Sequence, residues 1–130
     1  MMRAQDFARQ LLATETAPIP LHGDLHHDNV RLTDRGYCAF DAKGLVGERC
    51  FELANAFRHP RGLPEHVRDP ARLRFLRDSW ADVLGLDARR LMGWAVAKTA
   101  LSIVWRSSDA LSDDPELDLL DAMIALFDDT

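Results

Sequence analysis

The chain has 130 residues, of which 47% are apolar and 28% charged, the proportions of one globular domain with room for a single core. Its 16 Lys and Arg against 21 Asp and Glu give a formal net charge of -5, which argues against nucleic-acid binding because no excess of cation is available to neutralise phosphates. Cys38 and Cys50 stand outside any CxxC or paired metal spacing and read as reduced thiols of a cytoplasmic protein.

Taken in chain order, residues 3–15 place Phe7, Leu11 and Leu12 at helical spacing with Ala4 and Ala8 beside them, which predicts an opening helix without the long apolar run of a secretory signal. Pro18 and Pro20 stop it and favour an extended approach to the stretch LHGDLHHDNV, Leu21 to Val30. Beyond Asn29, two short runs rich in Val, Leu, Tyr and Phe flank TDRG and predict a β-hairpin over 30–42. AKGLVGE continues as a loop in which Gly44 and Gly47 supply positive φ.

From Cys50 the pattern is helical, with Phe51, Leu53, Ala54 and Phe57 at compatible intervals and Pro60 ending the run. A loop with three prolines follows. Helices are predicted over about 70–85, 87–107 and 115–128, the last opening on Pro115. The 15-residue run from Leu91 to Trp105 is too short, and with Lys98 too charged, to span a bilayer. Trp80, Trp94 and Trp105 fall at apolar helical positions and are assigned to the core. Asp113, Asp114, Asp118, Asp121, Asp128 and Asp129 are assigned to a solvated face. The expected architecture is one α+β domain, mainly helical, with a catalytic-looking loop over 21–30, the hairpin over 30–42 and a helical body over 50–128.

The density of His and Asp in the loop admits two chemistries. His22, Asp24, His26, His27 and Asp28 as metal ligands would need further ligands from distant segments. Only His59 and His66 remain elsewhere, with no recognisable pairing, so a His/Asp metallohydrolase is the weaker alternative. A phosphoryl-transfer loop accounts for the spacing better. Such transfer needs a carboxylate to orient and deprotonate an acceptor hydroxyl, and oxygen ligands that hold Mg²⁺ against phosphates. Asp24 suits the first task. Asn29 offers a neutral oxygen and Asp41 an anionic one, and the hairpin between them would return Asp41 to the end from which Asn29 departs.

LHGDLHHDNVRL followed by YCAFDAKGLVGERCFELANAF resembles the aminoglycoside phosphotransferases, in particular the streptomycin 6-kinase and hydroxyurea phosphotransferase branch. The strong match runs from Leu21 to about Phe57, and the helical remainder carries no motif of its own. The resemblance implies the C-terminal lobe of a protein-kinase-like fold, ATP as co-substrate, Mg²⁺, and an alcohol acceptor of the aminoglycoside or streptomycin kind. It implies Asp24 as catalytic base, Asn29 and Asp41 as Mg²⁺ ligands, His22 as a structural member of the loop and Glu52 as its brace. Lys43 would reach phosphate oxygens or stand solvated in its turn. His26 and His27 would meet substrate or phosphate, or simply face solvent. Ala42 replaces a proline of the branch, Asp28 a small residue, and Glu48 and Glu52 stand where aspartates are common.

About twenty residues precede the loop, and they read as helical, so no N-terminal nucleotide lobe with its phosphate-covering loop and lysine is visible. The opening Met-Met favours a genuine start over an excised domain. The chain alone is expected to be inactive or to require a partner lobe; a non-catalytic kinase-like binding module is the other reading. Apolar surface beside the loop should then be exposed and favour self-association or docking of a separate lobe.

Overall fold

The computed structural model describes residues 2–15, 17–107 and 114–130; Asp113 lies outside the described residues. Among the described residues, five α-helices form the body: α1 (Met2–Ala13), α2 (Pro64–Val67), α3 (Pro70–Leu84), α4 (Ala88–Arg106) and α5 (Leu117–Asp128). Four short strands form two ribbons: β1 (Ile19–Leu21), β2 (Val30–Thr33), β3 (Gly36–Ala39) and β4 (Leu45–Gly47). The class is α+β and mainly helical. Among the described residues, no helix is long and apolar enough to cross a membrane.

Helix α4 is apolar on nearly every side, burying Leu91, Met92, Trp94, Val96, Ala100 and Ile103. A helix of that kind requires cover all round, and α1, α3 and α5 supply it through Ala4, Leu11, Leu73, Leu120 and Met123. Each such fully buried large side chain contributes about 2 kcal/mol of transfer free energy. The helix ends follow local chemistry. Asp69 caps α3 by accepting the Ala71 N–H at 3.0 Å, with Pro70 in the first turn, and Gly85 closes it in the left-handed conformation. Asp87 caps α4 through the Arg90 N–H at 2.8 Å.

Several expectations are revised. Helix α5 begins at Leu117 rather than at Pro115, because the Asp114 carboxylate accepts the Glu116 N–H at 2.9 Å and folds Asp114–Glu116 into a turn. Asp114 is not solvated: its side chain is 7% exposed and pairs with Arg106. Trp105 is 70% exposed and lies under Lys98, while Trp94 is buried and Trp80 packs edge-on against Phe57. The residues read as a loop at AKGLVGE contribute β4, which pairs antiparallel with β1 so that Leu21 faces Leu45. Gly47 does not adopt positive φ; a Cβ there would meet Leu21 Cδ1 at 3.2 Å, so close strand approach is what requires glycine. Asp41 takes the left-handed conformation instead, at φ 57°.

The predicted hairpin is present over Val30–Ala39, with Thr33 opposite Gly36 across the turn. The predicted helix from Cys50 is not an α-helix. It is a run of 3-10 turns whose amides bond three residues back, as in Phe51 N–H to Glu48 at 3.0 Å, Ala54 to Phe51 at 3.0 Å and Arg58 to Asn55 at 3.1 Å. In this winding, residues three apart share an edge. Ala54 and Phe57 therefore face the core, and Glu52, Asn55 and Arg58 share another edge.

Ribbon and body are joined by Arg90, which bonds both oxygens of buried Glu48 as well as the Leu11 carbonyl (3.0 Å) and Thr14 hydroxyl (2.8 Å) of the α1 end. Beside this pair, burial and then the Glu48 charge push the Cys50 thiol up to about 11. A thiol lacks reactivity until it ionises. In the native protein at pH 8, a chromogenic disulfide reagent should titrate Cys38 alone, Cys50 reacting only after denaturant is added.

Candidate active site

The loop from Leu21 to Asn29 is pinned at its start by one carboxylate. Glu52 accepts the backbone N–H of His22 at 2.7 Å and that of Gly23 at 2.9 Å, satisfying two donors that the irregular backbone leaves without a ladder partner. Gly23 sits at φ 87°, and a Cβ there would lie 2.9 Å from the Leu45 side chain, so a side chain is excluded by both strain and space.

His22 ties this loop to the strand that carries Asp41. Its Nδ1 accepts the Asp24 N–H at 3.2 Å, and its Nε2 donates to the Phe40 carbonyl at 2.5 Å. The His22 carbonyl accepts the Lys43 N–H at 2.6 Å, and the Asn29 carbonyl accepts the Phe40 N–H at 2.7 Å. Asp41 is thereby held one residue beyond the partner of Asn29, exposed at the mouth of the loop.

Asp24 is 28% exposed at its side chain and receives an aimed set of donors. Asn55 Nδ2 donates to Oδ1 at 2.9 Å, and Asn29 Nδ2 donates to the Asp24 carbonyl at 2.8 Å. With that amide nitrogen committed, Asn29 Oδ1 accepts no hydrogen bond among the described residues. Behind Asn55 the edge continues. Arg58 Nη1 donates to Asn55 Oδ1 at 2.6 Å and to Ser102 at 2.8 Å, while Nε and Nη2 engage both oxygens of Glu116 at 2.9 and 2.7 Å. Burial alone would push the Glu116 carboxyl up; the Arg58 and Arg106 guanidiniums outweigh it and hold the group below the usual carboxylate range. Asp114 is likewise held low, first by its Arg106 hydrogen bond.

Of the residues singled out in the sequence, the fold brings His22, Asp24, His26, Asn29 and Glu52 together and sets Asp41 at the loop mouth. Lys43 and His27 are exposed, and neither side chain has a described bonding partner. His26 turns inward. Its Nδ1 accepts the Asp28 N–H at 3.3 Å, its Nε2 lies 3.6 Å from Asp24 Oδ1, and its ring stacks on His59 at 4.0 Å between centroids. Sequence spacing leaves His59 unpaired with the loop; the fold pairs them. Burial first, then the neighbouring His26 and Arg61, lower the His59 imidazole to about 4, so it is neutral at neutral pH. Asn55, Arg58 and His59 are the site residues that the motif does not contain. A three-residue period from Glu52 is the signal that marks the first two.

Comparison with known proteins was consistent. The family model described as aminoglycoside/hydroxyurea antibiotic resistance kinase matches residues 1–110. Streptomycin 3''-kinase of Klebsiella pneumoniae is 42% identical over 111 residues, which cover 82% of this chain and 41% of that protein. Streptomycin 6-kinase of Streptomyces griseus is 33% identical over 94 residues, covering 71% of this chain and 31% of that protein. The chain thus spans less than half the length of these curated relatives. No solved structure matches it significantly.

Two outcomes follow from the geometry. Gly23→Ala should lower stability by about 2 kcal/mol, the left-handed strain plus displacement of Leu45, read as a fall in melting temperature. Glu116→Gln strands Arg58 and should cost about 2–4 kcal/mol at neutral pH. Because the folded Glu116 carboxyl is depressed, its stabilisation is present above the ordinary carboxylate range and lost as pH falls through it. The two proteins should therefore converge in melting temperature on acidification.

Proposed function

Because the chain belongs to the aminoglycoside/hydroxyurea antibiotic resistance kinase family, we propose that it supplies the acceptor-activating half of an ATP-dependent phosphotransferase acting on an alcohol group of a streptomycin-like molecule. The observation that carries this reading is the Asp24 carboxylate, held by Asn55, with Asn29 bonded to the Asp24 backbone and with Phe40 and Lys43, either side of Asp41, bonded to Asn29 and His22. Asp24 accepts the proton of the acceptor hydroxyl as its oxygen bonds to the transferred phosphorus, and the bond to the leaving nucleotide diphosphate breaks in line. Asn55 holds Oδ1 at 2.9 Å, while Oδ2 has only the longer 3.5 Å contact from Asn29 Nδ2 and is the oxygen we assign to the acceptor.

Asn29 Oδ1 and the Asp41 carboxylate form a hard, all-oxygen donor pair that fits Mg²⁺. Held there, the ion would neutralise charge on the phosphates of ATP. Glu52 and His22 act on the backbone rather than on substrate: they keep Asp24 and Asp41 in register. A cationic acceptor is drawn in from the side of Asp28 and Asp41. The cavity of about 290 Å³ behind Arg58 is lined by Arg58, Arg61, Arg68, Arg106 and Glu116, and its guanidiniums are largely engaged by Glu116, Asp114 and Asp118.

The two ribbons support the view that this half is completed by a second lobe. Leu32, Tyr37 and Val46 are exposed by 69%, 78% and 73%, with Val30, Phe40 and Leu45 exposed beside them. Leu32 and Tyr37 are direct cross-strand partners, and exposed large apolar residues so close in sequence to a polar loop favour a surface that is covered. The remaining length of the curated relatives is the natural occupant.

The test is complementation. The chain mixed with the N-terminal portion of the Klebsiella relative, ATP, Mg²⁺ and streptomycin should yield phosphorylated acceptor by mass spectrometry. Asp24→Asn should reduce that product about a thousandfold with the circular dichroism spectrum unchanged. Wild-type turnover by Asp24→Asn would remove Asp24 from the mechanism. Absence of product across hydroxylated acceptors would remove the phosphotransferase reading.

A further inference from the structure

The geometry points to a second cation site, formed by His26, Asp28 and His59, that takes a borderline-soft divalent transition metal such as Zn²⁺. One ligand atom from each of these residues lies within 4.8 Å of the other two. His59 is 1% exposed, and among the described residues its Nδ1 has no hydrogen-bond partner. A buried ring nitrogen without a partner is disfavoured, and a metal ion is the partner that an imidazole lone pair accepts most strongly. The His59 backbone is fixed by Arg72, whose guanidinium donates to its carbonyl, so this ligand is preorganised.

The other two ligands approach from the loop. His26 Nε2 faces Asp24 Oδ1 at 3.6 Å, which leaves Nδ1 as its metal-facing nitrogen, occupied now only by the Asp28 N–H at 3.3 Å. Asp28 is exposed on the turn His27–Asn29 and supplies both the third ligand and the route of entry. Ligands around Zn²⁺ at about 2.1 Å stand roughly 3.4 Å apart, so rotation of the His26 ring and the Asp28 carboxylate closes the set around His59. Two imidazoles and one carboxylate favour zinc, nickel or copper over Mg²⁺. Three protein ligands leave a coordination position for water.

The experiment reads binding alone, so its result is independent of any phosphotransferase activity. Chelator-stripped chain is titrated with Zn²⁺ against a chromophoric competitor, in excess Mg²⁺, and with Co²⁺ for the visible spectrum of a low-coordinate site. One Zn²⁺ per chain is expected. His26→Ala and His59→Ala should each weaken binding about tenfold or more, since losing a ligand costs at least what losing an outer partner does. Asp28→Asn should weaken it several-fold, and Asp41→Asn, His27→Ala and His66→Ala should leave it unchanged. If His59→Ala fails to fold by circular dichroism, His26→Ala and Asp28→Asn decide. The proposal is overturned by absence of stoichiometric binding or by indifference to those two variants. Loss of binding in Asp41→Asn would also overturn it, since the ion would then occupy the oxygen site. Loss in His27→Ala or His66→Ala would overturn it too, assigning the ion to surface histidines.

Discussion

The winding of residues 49–58 into 3-10 turns is the constraint on which the site depends. Three residues per turn place Glu52, Asn55 and Arg58 in a row. Each is then engaged in the loop or beyond it: Glu52 by the His22 and Gly23 amides, Asn55 by the Asp24 carboxylate, and Arg58 by Glu116 and Ser102. An α-helix of the same sequence would offset successive members of this row by about 60° and fan them over about 120° of its circumference, out of the straight row in which they meet the loop. The opposite edge is equally restricted, since Ala54 and Phe57 are fully buried. A segment with a polar edge and an apolar edge at a period of three has few alternatives.

The polar edge runs deep. Arg58 is 8% exposed at its side chain and Asp114 7%, so charge has been taken out of water along the wall between Asp24 and the start of α5. Buried charge of this kind is tolerated only when its hydrogen-bonding capacity is met. Arg58 meets it through Asn55, Ser102 and both oxygens of Glu116. Energetically such networks gain little over an apolar core. What they fix is direction: Asn55 cannot rotate its amide without leaving Arg58 or Asp24 unsatisfied. The Asp24 carboxylate is thereby held in one orientation by a scaffold that cannot relax around it.

The apolar ribbons are the counterpart. The molecule buries Leu91, Leu73 and Met123 completely, yet leaves Leu32, Tyr37 and Val46 in water a few residues from its most polar loop. Packing satisfies the helical body internally, with α4 enclosed by α1, α3 and α5. Each ribbon has only two strands, and Leu32, Tyr37 and Val46 stay exposed on them. Glu48 with Arg90 anchors their base to the helices, so the exposed face is held in place rather than collapsed onto the core.

By itself the sequence determined the helical body and the hairpin. Period-3.6 apolar spacing and caps at Asp69 and Asp87 specify α3 and α4, and alternation around TDRG specifies β2 and β3. It also singled out one loop, because His22, Asp24 and Asn29 followed by Asp41 form a spacing that a local hairpin can close, and the hairpin is present. Tertiary structure decided the rest. The pairing of β1 with β4 joins segments 24 residues apart at Leu21 and Leu45, and no local pattern carries that register. The 3-10 winding wins over the helical spacing of the same residues because core contacts on one edge and loop amides on the other act together. His59 meets His26 across 33 positions through packing alone, since each histidine's immediate neighbours in sequence are compatible with exposure. Local propensity reaches as far as a turn or a capped helix, whereas the partners of Asp24 arrive from elements that only burial brings together.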